Sequence, residues 1–360
     1  MTMNLKQGSI PDGFFADIPK VDIHCHVYGT IREATLQEFV RETSAPLTEE
    51  EVAGYYVRGE KPRGVLHAFR FMEEYIFGSE DRLYRLTREC LEDLSAENVR
   101  YAELFWNTTG TLLHAPHLSF KAGQDAVVQA MEDAERDFGI VSRLIHSIDR
   151  EASPEAAVEM MKQALALPHP RSIGLGMDYL ENELFRPEGF WKAYQMAQEA
   201  GWKLTAHAGE NSCHWRNIET ALDLLKVDRI DHGYTVLDNP ELLQRCIDDG
   251  IVFTVVPTNT HYLNVLSPAE WADKHPIRRM GRTGLKIHPN TDDPTFHNTT
   301  PNNVWRTMHV AFDFGVDDLR SFMLNGVEGV WVDDDTRGTM IAEFSSAFDE
   351  AVQKHGLRSI

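Results

Sequence analysis

The stretch VDIHCHVYGT, residues 21–30, places histidines at 24 and 26. In a β-strand, residues i and i+2 share a face. His24 and His26 then project together, and Cys25 points the other way. Two imidazoles aimed at one spot can bind a metal, and they can equally be two ordinary polar residues on a strand face. Further along come His207 in HAGE, with Glu210 three residues on, His232 in DHGY, and Asp292–Asp293 in NTDDP. Three of these imidazoles and a carboxylate make a reasonable Zn²⁺ ligand set that leaves a position for water. A zinc ion there would bring the pKa of that water towards neutrality. Each element alone is weak evidence. His232 can be a ligand of a second metal, Glu210 a helix N-terminal residue, and Asp293 a cap for the turn before Pro294.

Such residues need elements to bring them together. Apolar β-like stretches recur at 20–26, 99–106, 139–148, 172–179, 202–209, 227–233, 250–258 and 284–291. Helix-patterned segments separate most of them. SPEAAVEMMKQALAL (153–167) begins with a Ser cap and a Pro at the first helical position. PEGFWKAYQMAQEAG (187–201) ends on a Gly just past the helix, and NPELLQRCIDDG (239–250) follows the same grammar. Eight strands alternating with helices predict an α/β fold, a (β/α)₈ TIM barrel, as one domain over 1–360. No G-x-G-x-x-G follows the first strand, which disfavours a doubly wound dinucleotide fold. The gap 27–98 is too long for one βα unit and predicts inserted helices after strand 1, including VLHAFRFMEEYIF (65–77), that cover the pocket. Barrel enzymes carry their chemistry at the carboxyl ends of the strands, where His24, His26, His207, His232, Asp292 and Asp293 all fall.

Composition bounds the rest. The 360 residues are 42% hydrophobic and 25% charged, enough for a large core. The 56 acidic and 35 basic residues give a net charge of −21, which disfavours nucleic acid and anionic lipid as partners. MTMNLKQGSI lacks the apolar region of a signal peptide, and no apolar run reaches membrane-spanning length. Cys25, Cys90, Cys213 and Cys246 form no C-x-x-C pair, so a reducing, cytoplasmic location is expected. A homo-oligomer is compatible with all of this.

PKVDIHCH, HAGE, HGY and NTDDP, in this order and at these separations, resemble the adenosine/adenine deaminase family of the metal-dependent amidohydrolase superfamily. YAELFW (101–106) and VPTN (256–259) add to the likeness, which runs from about Pro19 to about Pro294. The resemblance implies one Zn²⁺ per chain on His24, His26, His207 and Asp292. It implies that His232 orients the attacking water, that Asp292 helps take that water's proton, and that Glu210 protonates a ring nitrogen beside the amino-bearing carbon. It also implies that Asp293 hydrogen-bonds another ring nitrogen. The expected reaction is zinc-dependent hydrolytic deamination of an amino-substituted purine or related heteroaromatic ring, with release of ammonia. A proton-donating carboxylic acid needs a raised pKa, which a closed apolar pocket provides. Cys25, His261 and His288 read as packing or lining residues.

Three departures bear on the substrate. After the His pair stand Val27, Tyr28 and Gly29, where the family has Leu, an acid and Gly. The family's acid on strand 4 aligns with Gly176, and a Gly of the family falls near Tyr179. Phe105 stands where adenosine deaminases have Arg, a trait closer to adenine deaminases. Asp231, where the family often has Gly, is a smaller change. Tyr28, Trp106, Met177 and Tyr179 are expected to stack on a flat ring. A modified purine or a pterin-type ring is the alternative substrate. A binuclear amidohydrolase is a weaker one, because SIGLGMDY supplies no bridging Lys.

Overall fold

The computed structural model describes residues 10–57, 65–182, 186–211, 213–258, 266, 270 and 273–357. His261, Asn259 of VPTN and Glu183 of the strand-4 loop lie outside them. Eight parallel strands run in sequence order around one sheet. They are β1 (Lys20–His26), β2 (Val99–Asn107), β3 (Val141–Asp149), β4 (Ser172–Asp178), β5 (Lys203–Ala208), β6 (Arg229–His232), β7 (Val252–Val255) and β8 (Lys286–Pro289). Helices cover the outside, so the strands are buried on both faces. That is why they read as near-continuous apolar runs. The eight expected strands are all present, with β7 and β8 shorter than their apolar runs.

The barrel is nearly closed, and the closure is made by a site residue. An isolated bridge pairs Asp292, beyond the end of β8, with Cys25 of β1. The Asp292 N–H donates to His24 O at 2.9 Å, and its C=O accepts from His26 N–H at 2.9 Å. Its backbone is thus clamped on both sides of Cys25, between the two strand-1 histidines. Cys25 itself faces the helical layer and is fully buried.

Helices start and stop where capping chemistry dictates. Ser153 Oγ accepts from Ala156 N–H at 3.2 Å, with Pro154 at the first helical position. Gly139, at φ +73°, ends the helix Phe120–Phe138. Among the described residues, the 3₁₀ turn Val27–Thr30 and four α-helices lie between β1 and β2, the helices being Glu33–Thr43, Glu49–Tyr55, Val65–Tyr75 and Glu80–Ala96. Leu36, Phe39, Met72, Phe77 and Leu86 give them an apolar core that merges with Leu104 and Trp106 of β2. Of the four aromatics in 65–77, Phe69 faces the central cavity. Phe77 stacks under Tyr28 at 3.9 Å between centroids, and Phe71 stacks on Tyr75 at 4.9 Å. No helix among the described residues is long and apolar enough to cross a membrane.

His146 of β3 is sealed under this outer layer. It is fully buried, hydrogen-bonds Thr108 Oγ1 at 2.9 Å, and stacks on Trp202 at 5.6 Å. Burial pushes its pKa down to about 3. The unfolded chain takes up this proton near pH 6.5, and the folded chain does not until about 3. The group therefore supports the fold above pH 6.5, and that support fades as pH falls, by about 1.4 kcal/mol per pH unit. Urea unfolding of the wild type and His146→Gln at pH 7 and pH 5 checks this. The variant is expected to lose less stability on acidification, and equal losses would refute it.

Candidate active site

The four expected zinc residues meet at one point on the axis of the barrel. His24 Nε2 and His26 Nε2 lie 3.2 and 3.1 Å from His207 Nε2. Asp292 Oδ1 lies 3.5 Å from His24 Nε2 and 3.3 Å from His26 Nε2. Each histidine turns its other ring nitrogen outward to an oxygen. His24 Nδ1 meets Thr254 Oγ1 at 3.0 Å, His207 Nδ1 lies 3.3 Å from Asp231 Oδ2, and His26 Nδ1 lies 3.5 Å from Asp178 Oδ2. A neutral imidazole whose Nδ1 carries the proton has only a lone pair at Nε2. Three Nε2 lone pairs and a carboxylate oxygen converging in the interior repel one another unless a cation sits among them. In a tetrahedral Zn²⁺ site with bonds of about 2.1 Å, neighbouring ligand atoms are about 3.4 Å apart. The donor set, its spacing and its outward-facing support all fit zinc.

Asp231 deserves more weight than its place in DHGY indicates. It is fully buried. Its carboxylate accepts from Thr205 Oγ1 and Thr254 Oγ1, both at 2.8 Å, and reaches His207. Burial alone would raise its pKa, but His24, His207 and Arg229 outweigh that and hold it well below the usual carboxylate range. One carboxylate thus orients two metal histidines, one directly and one through Thr254. Asp231→Asn is expected to weaken zinc binding about 10- to 100-fold, read by competition with a chelator. Unchanged affinity would mean that Thr254 alone suffices.

His207 and Glu210 depend on a residue that the sequence did not reveal. Glu181, buried beyond β4, accepts from Gly209 N–H at 2.9 Å and Glu210 N–H at 2.8 Å. It also accepts from Asn217 Nδ2 at 2.7 Å. These bonds fix the HAGE turn, where Gly209 adopts φ +73° and a Cβ would press on Thr235 and Ile218. Glu210 emerges into the cavity with its Oε2 3.8 Å from His232 Nε2. His232 is buried and also contacts Tyr234 Oη at 3.3 Å through Nδ1. Burial, then the neighbouring His24 and His207, push its pKa far down.

Tyr179, His232 and Asp292 all adopt left-handed φ, at +68°, +64° and +61°. Such geometry costs a non-glycine residue about 1 kcal/mol or more, and all three line the same cavity. Asp293 lines it too, with Oδ1 unpartnered among the described residues. Burial, then Asp292, Glu210 and Asp178, push its carboxyl well above the usual range. Gly29 lets this pair approach, since a Cβ there would fall 1.9 Å from Asp293 Oδ1. His297 braces the pair, with its Nε2 3.2 Å from Asp292 Oδ2.

The cavity is about 170 Å³ and sits at the carboxyl ends of the strands. Its walls include Tyr28, Leu66, Phe69, Phe105 and Tyr179. Three expectations need correction. Neither Trp106 nor Met177 is among the lining residues, and Met177 packs into the main core. His26 pairs with Phe105 in the ladder, so Phe105 faces inward and Trp106 packs outward against Phe120 and His146. The acid of strand 4 is Asp178 at the strand end, and Gly176 lies within the strand against Phe105. Tyr28 lines the cavity with its ring, while its hydroxyl is taken up by Asn107 O and Thr111 Oγ1. His288 is structural, with both ring nitrogens on backbone carbonyls, Phe322 O at 2.9 Å and Val21 O at 3.1 Å.

A parallel barrel with three histidines and an aspartate gathered at its carboxyl end defines a metal-dependent hydrolase of the amidohydrolase type. Residues 19–347 match the family described as Adenosine deaminase, and the chain belongs to that family. A zinc-bound amidohydrolase from Burkholderia ambifaria is similar at 49% identity and a TM-score of 0.93, over 96% of this chain and 94% of that one. An adenine deaminase from Hahella chejuensis is 30% identical over 95% of this chain and 99% of its own length. The adenine deaminase structure from Arthrobacter aurescens is 26% identical with a TM-score of 0.82, over 91% and 98%. The chain is accordingly a hydrolytic deaminase of an amino-substituted purine-type ring, and its His24–His26–His207–Asp292 group fits a single zinc.

Proposed function

We propose that the substrate is a free aminopurine base, adenine or a substituted adenine, held edge-on to the metal residues. The reading rests on one observation. The His24–His26–His207–Asp292 group, Glu210 and Asp293 share a single cavity walled by Tyr28, Phe69, Phe105 and Tyr179. The adenine deaminase names of the relatives support a free base. So does Tyr28, whose engaged hydroxyl replaces a charged group with an aromatic wall.

Zinc on His24, His26, His207 and Asp292 would supply an activated water near neutral pH. The chain's own residues then act as follows. Glu210 donates a proton to the ring nitrogen beside the amino-bearing carbon, which makes that carbon electrophilic. Asp293, whose carboxyl is pushed above the usual range by burial and then by its acidic neighbours, hydrogen-bonds a second ring nitrogen. His232, buried beside Glu210, orients the attacking water, and Asp292 helps take its proton. The water's oxygen adds to the carbon, and the proton it gave up passes to the amino nitrogen, which leaves as ammonia. The new hydroxyl returns its proton to Glu210, leaving an oxo group. Phe69 and Leu66 of the inserted helices shield the ring from bulk water.

Ammonia release by the zinc-loaded protein tests this across adenine, adenosine, N6-substituted adenines, pterins and aminopyrimidines. Turnover of adenine or a substituted adenine is expected. Turnover of adenosine alone, or of a pterin alone, would overturn the free-base assignment.

A further inference from the structure

Resting on the aminopurine reading, we infer that Asn107 is a specificity residue whose side-chain N–H reads a hydrogen-bond acceptor on the ring edge remote from the amino group. Asn107 is the last residue of β2 and caps the helix Thr108–His114. Its Oδ1 accepts from Gly110 N–H at 2.9 Å. That bond settles the orientation of the amide, because only the oxygen can accept. The other end of the amide, Nδ2, has no partner among the described residues, although the side chain is 3% exposed. A buried donor left without an acceptor is costly. The open space that Asn107 adjoins is the active-site cavity, which it lines.

Its height in the barrel suits the task. Phe105 pairs with the metal histidine His26 across the β1–β2 ladder. Asn107 lies two residues further on, on the same face, so it stands roughly 6–7 Å nearer the mouth. A fused bicyclic ring that reacts at the metal layer spans that distance. The amide is also rigid. The Asn107 backbone carbonyl accepts from Thr111 Oγ1 at 2.7 Å and from Tyr28 Oη at 3.3 Å, which holds the main chain that carries the amide. A Cβ on Gly110 would strike Asn107 Oδ1 at 2.8 Å, so the amide is packed tightly on that side. A donor fixed at that height in the cavity wall selects rings that carry an acceptor there. In an aminopurine that atom is N3. A ring with CH in its place would leave the donor unsatisfied.

The test uses the Glu210→Gln protein loaded with zinc, so that the ring binds without being consumed. Calorimetry gives Kd for adenine and for 3-deazaadenine, with and without Asn107→Ser. Asn107→Asp, which keeps the helix cap and removes the donor, is the second variant. The parent is expected to bind adenine about tenfold or more tighter than 3-deazaadenine. Both variants should lose that preference to within about twofold, mainly through weaker adenine binding. Equal affinities in the parent, or equal weakening of both ligands in the variants, would overturn the role of Asn107 and leave the deaminase reading intact. A parent that binds zinc but neither ring would overturn the aminopurine reading together with this inference.

Discussion

Glu210→Gln is expected to keep a full complement of zinc and to reduce kcat by about 10²- to 10⁴-fold, the usual contribution of a positioned general acid. The substitution preserves shape and removes the donated proton. Its backbone N–H stays anchored on Glu181, so the turn carrying His207 is not disturbed. The measurement pairs metal analysis with steady-state ammonia release. Zinc retained with kcat within a few-fold of wild type would show that another group protonates the ring. Loss of zinc would show that Glu210 matters through the metal site instead.

The second large effect is on the metal itself. His207 is the hub of the ligand group, because its Nε2 contacts those of both His24 and His26. His207→Ala removes that donor and strips Asp231 of a partner that helps hold it ionised in the interior. The expected result is a protein that comes off a desalting column without zinc and releases no ammonia above background. It should also unfold at lower denaturant than the wild type, because Asp231 is then buried with less compensation. Retention of one zinc per chain would mean that His232, whose ring centroid lies 4.8 Å from that of His207, can substitute as a ligand.

Sequence and structure agree where the information is local. His24 and His26 are visible because strand parity alone aims them together. Asp292 is visible because NTDDP is a compact motif, although the structure adds that its backbone also closes the barrel. The supporting groups were not legible. Glu181 acts on a turn 28 residues away, and Asp231 and Thr254 meet His24 across 207 and 230 positions. Nothing local marks such partners. Trp106 shows a different failure. Aromatic character indicated a substrate wall, but the ladder pairing of His26 with Phe105 puts the neighbouring residue on the opposite face. That parity could have been applied to YAELFW from the sequence. Asn107 gave no signal, since a lone Asn after a strand ordinarily reads as a helix cap. It is one, and its spare N–H became apparent only against the cavity.

The central claim is hydrolytic deamination at a single metal. The most direct measurement runs the reaction in ¹⁸O-enriched water on protein of known zinc content, with adenine or the best ring of the panel. The expected result is one zinc per chain, one ammonia per ring consumed, and one ¹⁸O in each product ring. Two metals per chain, or ring consumption without ammonia and without ¹⁸O at the former amino position, would contradict it.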